Sequence, residues 1–510
     1  MTLIDAVNRA SEKKPNKPFL ILEKEKVTFK KFKEDMERLS SGFTRLGIKK
    51  GDKIAMLLCN SIEFVVCYFA AVRAGAIIVP LNNFLSLEEV VYILNDAKVK
   101  IFISSSDCFD VIKELKINAV PQLEHIILTD NIDGMKYKRY RDILESGAGT
   151  VEPPAEMDEN EVAVIIYTSG TTGHPKGAML THRNLLSNAD SSITRIEVVE
   201  KDKFILFLPM FHAFTFTVCI IIPLYQLCTT VILKSIKPFG KIIGAIMFKR
   251  ITVFVAIPPV YNVLSGKKIP KLLLWFNPIR VCVSGAAPLS SEVLKSFEEK
   301  FGIPLLEGYG LSEASPVVSV NPLEGVRKIG SVGPAIPGVK IKIVDEDGKD
   351  LKAGEEGEIA VSGPNVMKGY YDRPEETREV MKDGWLLTGD IGKLDEQGYL
   401  YILDRKKDLI LVNGMNLYPR EVEDILYRHP AIEDVAVVGK KDDVHGEVPV
   451  CVVKLRDGMT ATEADLKKFC KPHLANFKVP HRFEFWPELP KTGTGKVIKR
   501  EVRRLINEKK

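Results

Sequence analysis

The sequence predicts an α/β fold of several units, and three observations carry that expectation. Apolar runs of strand length alternate with amphipathic stretches of helix length over most of the chain. Near residue 330 this rhythm gives way to short strands punctuated by Gly and Pro. Finally, 510 residues exceed one compact core at roughly 100–200 residues per domain. Hydrophobic residues at 45% and charged residues at 27% are ordinary globular values, which excludes a fibrous or low-complexity chain. Lys and Arg number 72 against 67 Asp and Glu, too small and too interspersed an excess to argue for a nucleic-acid partner.

From Thr28, the residues Phe29, Phe32, Met36, Leu39, Phe43 and Leu46 recur at helical spacing, and Gly47 ends that helix. A buried strand over 53–58 follows, then helix 61–74, strand 76–80, helix 86–97 and strand 100–104. Ser86 and Glu89 are placed as a capping box. Such alternation implies a parallel sheet with right-handed crossovers. The polar stretch 131–160 is expected to be a surface connection, after which strands near 162–167, 204–208, 229–233, 252–257 and 279–284 imply a second doubly wound unit. The predicted organisation is therefore an N-terminal domain over 1–403, with α/β subdomains 1–150 and 151–325 and a small antiparallel barrel or sandwich over 326–403. A smaller α+β domain over 408–510 follows, with helices at 419–428 and 463–474 and strands at 434–439 and 448–455.

The eight cysteines are scattered without a CxxC pair and are expected to be reduced core residues. The N-terminus lacks the charge and apolar pattern of a signal peptide, so a cytoplasmic location is expected. Between Lys203 and Lys234, thirty residues carry no formal charge. Pro209, His212, Pro223 and Gln226 interrupt that run, favouring a buried strand and helix over a membrane span; a membrane-touching face stays open.

The strongest chemical signal is YTSGTTGHPKGAMLTHRN over Tyr167–Asn184. A strand ends in Thr168, Ser169, Gly170, Thr171, Thr172 and Gly173, followed by Lys176. Glycines let backbone N–H groups turn inward as an anion nest, hydroxyls add donors and lysine adds charge, so the loop suits a polyphosphate. The spacing is not that of GxxxxGK[ST]. As composition alone, the loop could equally be a surface turn.

The full string resembles the phosphate loop of the adenylate-forming superfamily, which includes acyl-CoA and aryl-CoA synthetases, luciferases and peptide-synthetase adenylation domains. Further segments follow in the family's order: LPMFHAF (208–214), SGAAP (284–288), EGYGLSE (307–313), WLLTGD (385–390), DRKKD (404–408) and PKTGTGK (490–496). The resemblance implies that Ser284, Gly285, Ala286, Glu307, Gly308, Tyr309, Gly310 and Ser312 form the adenine site. It also implies that Glu313 and Thr171 hold Mg2+, that Asp390 and Arg405 bind ribose or phosphate, and that His212 borders the acyl and nucleotide pocket. Lys496 is implied as the catalytic lysine of adenylation, and Lys407 as the pivot of a hinge over 404–407 that makes the C-terminal domain mobile. Asn413, Gly414 and Asn416 would face the site in thioester formation. Ser312 stands where the family usually has Thr and keeps the hydroxyl.

Physical chemistry fits these roles. Tyr309 between two glycines can lie against a planar base. A carboxylate suits a hard cation, and a carboxylate substrate is already ionised near neutral pH, so His212 need not act as its base. The segment Met415–Pro419 resembles long-chain fatty acyl-CoA synthetases, and Phe211, Phe214, Phe216, Val218 and Ile220–Ile222 offer apolar material for an acyl pocket. The implied reaction joins a medium- to long-chain fatty acid to coenzyme A with ATP and Mg2+, through an acyl-adenylate. A fatty acyl-AMP ligase, an aryl or branched-acid CoA ligase, and a membrane protein anchored by 204–233 remain alternatives. The chain stops at Lys510 without a carrier domain, favouring free coenzyme A as acceptor; peripheral membrane contact and a homodimer are further open partners.

Overall fold

The computed structural model describes residues 1–132, 137–147, 152, 154–168, 175–267, 276–442, 446–491 and 497–508. Among them, the helix expected from Thr28 spans Phe29–Arg45, with the Thr28 hydroxyl accepting the N–H of Lys31 and Gly47 at φ +90° just beyond. The capping box of Ser86 and Glu89 is present. The helix starting at Glu463 ends at Cys470 rather than 474: Lys471 still takes helical angles and bonds the Lys467 carbonyl, but Pro472 has no N–H to carry the ladder further.

Two eight-stranded sheets dominate. In order across the first are 317–320, 305–310, 281–284, 253–256, 203–206, 229–232, 18–22 and 25–28; across the second, 369–370, 176–181, 162–168, 77–80, 53–57, 99–104, 125–128 and 138–139. The expected split into subdomains 1–150 and 151–325 does not describe this pairing. Strand Pro18–Leu22 runs parallel to Thr229–Ile232, and Val162–Thr168 joins the N-terminal strands through the Ile78–Val164 pair. The reason is burial: Phe19 and Leu20 are fully enclosed only beside the later strands, in the core shared with helix Phe29–Arg45.

That core lies between the two sheets, with helices Phe29–Arg45, Ile62–Arg73 and His182–Ile196 inside it. A second core on the outer face of the first sheet is covered by helices Phe239–Lys249, Pro258–Gly266 and Ser291–Phe301. The third sheet is five-stranded and antiparallel, built from 340–344, 357–362, 381–382, 385–394 and 400–405. The fourth contains 410–412, 415–417, 432–442, 446–455 and 482–485 and has its own core around Val435, Val437 and Val453. The uncharged run 204–233 becomes strand Lys203–Leu206, a helical stretch Ala213–Tyr225 and strand Thr229–Ile232. Among the described residues no helix is long and apolar enough to cross a membrane. All eight cysteines are free thiols.

Candidate functional site

The Gly/Thr loop joins two antiparallel strands whose ladder ends at the Thr168–Lys176 pair. Ser169, Gly170, Thr171, Thr172 and Gly173 lie outside the described residues, as does Lys496. At the loop's base the Thr168 hydroxyl donates to the Glu313 carboxylate at 3.2 Å. The Tyr370 hydroxyl donates to the same oxygen at 3.1 Å, and the Lys176 ammonium stands 5.6 Å from the Tyr370 ring centroid. Burial and the Glu313 carboxylate push the Tyr370 hydroxyl up, so it stays a donor.

Glu313 is held by a short 3-10 turn, Ser312–Ala314, and by its backbone carbonyl, which accepts the N–H of Met367 at 2.8 Å. Tyr370 was not legible in the sequence. It follows Glu313 by 57 residues, and only the pairing of Gly369–Tyr370 with Ala178 and Met179 brings it there.

Tyr309, Asp390 and Arg405 form a second group. The Tyr309 hydroxyl donates to Asp390 at 2.5 Å, and Arg405 Nε lies 3.5 Å from the other carboxylate oxygen. Asp390 and Arg405 are cross-strand partners, which is why residues so far apart in sequence meet. Burial, then the Asp390 charge, raises the Tyr309 hydroxyl well above its ordinary range. Gly310 is required here: a Cβ would sit 2.2 Å from the Pro316 carbonyl oxygen.

Beside Tyr309 opens an apolar pocket with about 640 Å3 of space free of protein atoms, the open solvent at its mouth included. His212, Ser284, Gly285, Ala286, Gly308 and Ser312 lie on its wall beside Tyr309 and Gly310. Phe214, Val218 and Ile222 supply its apolar side, and the helix there widens into a π turn at Thr217–Ile221. A Cβ at Gly285 would come within 3.0 Å of the Phe214 ring, so the glycine leaves that ring its place on the pocket wall. Phe211 and Phe216 face a smaller cavity beside Tyr68 instead, and Ile220 and Ile221 are core.

Glu307 is off the pocket wall. The residue is 2% exposed, and its carboxylate accepts the N–H of Leu289 at 3.0 Å. Burial pushes it up to about 7 from an ordinary 4.5, against the opposing pull of Arg420. The folded chain therefore holds a proton that the unfolded chain has released, and stability falls as pH rises from about 4.5, levelling off above about 7. A Glu307→Gln variant has no such titration. Its melting temperature relative to the wild type is expected to rise between pH 5 and 8 by the equivalent of on the order of 2 kcal/mol; parallel curves would reject the assignment.

Lys407 is exposed in the 3-10 turn Lys406–Asp408 between strands Leu400–Arg405 and Ile410–Val412. Beside it, buried Asp404 accepts the N–H groups of Arg405 and Arg420, each at 2.7 Å, and lies 3.9 Å from Lys499. Asn413 and Gly414 form a two-residue hairpin turn with φ +51° and +77°, the Asn-Gly geometry that such loops require. Both are exposed, as is Asn416, and none lies on the pocket wall.

The donor set fits Mg-ATP. Glu313 with neighbouring hydroxyls is the hard-oxygen set a Mg2+ ion takes when substrate phosphates complete its shell. Among the described residues no group of three or more His, Cys, Asp or Glu could hold a metal alone. Asp390 has the carboxylate geometry to accept ribose hydroxyls.

Two family models match this chain: AMP-binding enzyme over residues 7–371 and AMP-binding enzyme C-terminal domain over 421–496. A long-chain-fatty-acid–CoA ligase of Bacillus subtilis is 35% identical, over 98% of this chain and 94% of that protein. A feruloyl-CoA synthase of Amycolatopsis is 33% identical over 94% of each. Among solved structures, ATP-bound MatB from Rhodopseudomonas palustris superposes with a TM-score of 0.90 at 31% identity, covering 100% of this chain and 99% of that one.

Proposed function

Because this chain belongs to the AMP-binding enzyme family, we propose that it is an ATP-dependent acid–CoA ligase whose substrates are medium- to long-chain fatty acids. The observation that carries the reading is the apolar pocket bounded by Tyr309, which is bonded to Asp390, and by Ser312, next to Glu313. An alkyl chain in that pocket gains roughly 0.8 kcal/mol per buried CH₂, and among the described residues no charged side chain lines it to read an amine.

In this mechanism Tyr309 and the glycines around it receive the adenine, and Asp390 accepts the ribose hydroxyls. Glu313 would hold Mg2+, which neutralises phosphate charge. Thr168 and Tyr370 fix the Glu313 carboxylate, and Lys176 places a positive charge at the loop's exit. The acid's carboxylate attacks the α-phosphate and pyrophosphate leaves. The thiolate of coenzyme A then attacks the acyl-adenylate carbonyl and expels AMP. Lys496 serves the first step by stabilising charge on the α-phosphate oxygens. Residues 404–407 act as the hinge through which Asn413, Gly414 and Asn416 approach for the second.

The test is AMP and acyl-CoA release with Mg-ATP across saturated acids from acetate to stearate, with and without coenzyme A. Turnover that peaks at long chains and requires coenzyme A is expected. Accumulating acyl-adenylate indifferent to coenzyme A would replace the reading with an acyl-AMP ligase. Turnover only with aromatic acids, the class to which the feruloyl-CoA synthase relative points, would replace the substrate class.

A further inference from the structure

The Gly/Thr loop leaves the second sheet at Thr168 and re-enters it at Lys176, so whatever holds these two points sets where the loop stands. Successive residues of a strand face opposite sides of a sheet. Thr168 therefore points to Glu313, while its neighbour Tyr167 packs on the far side, in the core beneath helix Leu87–Asp96. Tyr370 and Tyr371 divide in the same way: Tyr370 reaches Glu313, and Tyr371 joins the far-side core. The Glu313 carboxylate thus receives one hydroxyl from each of two chain segments whose backs share that core.

That helix carries a clamp. At its last residue, Asp96 accepts the Tyr167 hydroxyl on one carboxylate oxygen at 2.6 Å and the Arg373 guanidinium on the other at 2.5 Å. One turn earlier, the Tyr92 hydroxyl lies 3.5 Å from the Pro175 carbonyl oxygen and from Arg373 Nη2. Asp96 and Tyr92 therefore engage the strand that leads into the loop, the residue at which the chain returns, and the segment just after Tyr370. The Asp96 side chain is 12% exposed and that of Arg373 31%, so the pair is partly shielded from water. Gly177 belongs to the same arrangement. A Cβ there would stand 2.5 Å from Ile165 and 3.2 Å from the Tyr167 ring, and its carbonyl accepts the Tyr371 N–H at 2.8 Å. None of Tyr92, Asp96 and Arg373 lines the pocket.

We propose that Asp96 is a positioning residue for Mg-ATP: from the back of the sheet it fixes Tyr167 and Arg373, and through them the Thr168 and Tyr370 hydroxyls that orient Glu313 and the base of the polyphosphate loop. Partners that orient a metal ligand from behind account for roughly 10–100-fold in metal affinity or activity. The inference rests on the nucleotide and Mg2+ assignments of the proposed function and is independent of which acid is the substrate.

The experiment is calorimetric binding of Mg-ATP and of AMP to the full chain, beside a thermal melt. Asp96→Ala is expected to weaken Mg-ATP roughly tenfold or more and AMP less than about twofold, because AMP has no β- and γ-phosphate for the loop and the cation to hold. Tyr167→Phe removes the hydroxyl and keeps the ring, so it should show the same split with a smaller loss and a melt near that of the wild type. Asp96→Asn keeps an acceptor for Tyr167 but not the charge facing Arg373, and is expected to lie between the wild type and Asp96→Ala. In Glu313→Gln, where the cation's carboxylate is already gone, adding Asp96→Ala should weaken Mg-ATP less than it does alone. Equal losses of Mg-ATP and AMP, losses that add in full to those of Glu313→Gln, or unchanged Mg-ATP binding in both Asp96→Ala and Tyr167→Phe would overturn the proposal. A chain that binds Mg-ATP with this dependence on Asp96 yet makes no acyl-CoA from any acid would sink the ligase reading and leave Asp96 in its role; a wild type that binds no Mg-ATP would overturn both.

Discussion

Glu313→Ala is expected to lower kcat/KM by about 10²–10³-fold and to raise the Mg2+ concentration needed for half-maximal turnover. The carboxylate collects two hydroxyl donors, from Thr168 and Tyr370, without a cation beside it at ion-pair distance among the described residues. Its negative charge is thus oriented but uncompensated, as a metal ligand needs. Truncation also leaves the two hydroxyls without that partner, at about 1 kcal/mol of stability each. Glu313→Gln separates the effects: the amide oxygen still accepts both hydroxyls, so stability recovers while the Mg2+ requirement stays raised. Kinetics titrated with Mg2+ beside a thermal melt decide it, and an unchanged metal requirement in both variants would refute the ligand role.

Lys496→Ala is expected to slow acyl-adenylate formation by about 10²–10³-fold while ATP binding persists, since the lysine acts on charge that develops only in the transition state. Lys491 and Val497, which flank the segment, form an antiparallel bridge, and the Lys491 ammonium pairs with Asp434 at 2.5 Å. The base of the segment is therefore anchored in the fourth sheet whatever occupies position 496. Single-turnover pyrophosphate release measures the first step, and equilibrium binding of ATP measures the other half. A variant that loses ATP binding and adenylation together would show Lys496 to be a binding residue. The second half-reaction offers a control: thioester formation from supplied acyl-adenylate and coenzyme A should be nearly unaffected.

Local chemistry was legible in the sequence because it is written locally. Helical periodicity placed Phe29–Arg45, the hydroxyl at Thr28 and the Ser86–Glu89 box marked helix starts, and the ordered motifs named most of the residues that line the pocket. The Asn413–Gly414 turn follows from two adjacent residues able to take positive φ. Tertiary structure decided what depends on long-range partners. An apolar strand such as Pro18–Leu22 is equally satisfied by any sheet that buries it, and only packing assigned it to Thr229–Ile232. Alternation along Leu305–Gly310 could not tell that Glu307 turns to the Leu289 N–H while Gly308, Tyr309 and Gly310 line the pocket. Nor could periodicity separate Phe214 from Phe211 and Phe216, since apolar residues so close together look alike until packing sets different cavities against them. Tyr370 reaches Glu313 through a strand pairing that no local pattern encodes, because hydrogen bonds between distant residues are settled by the whole fold's burial.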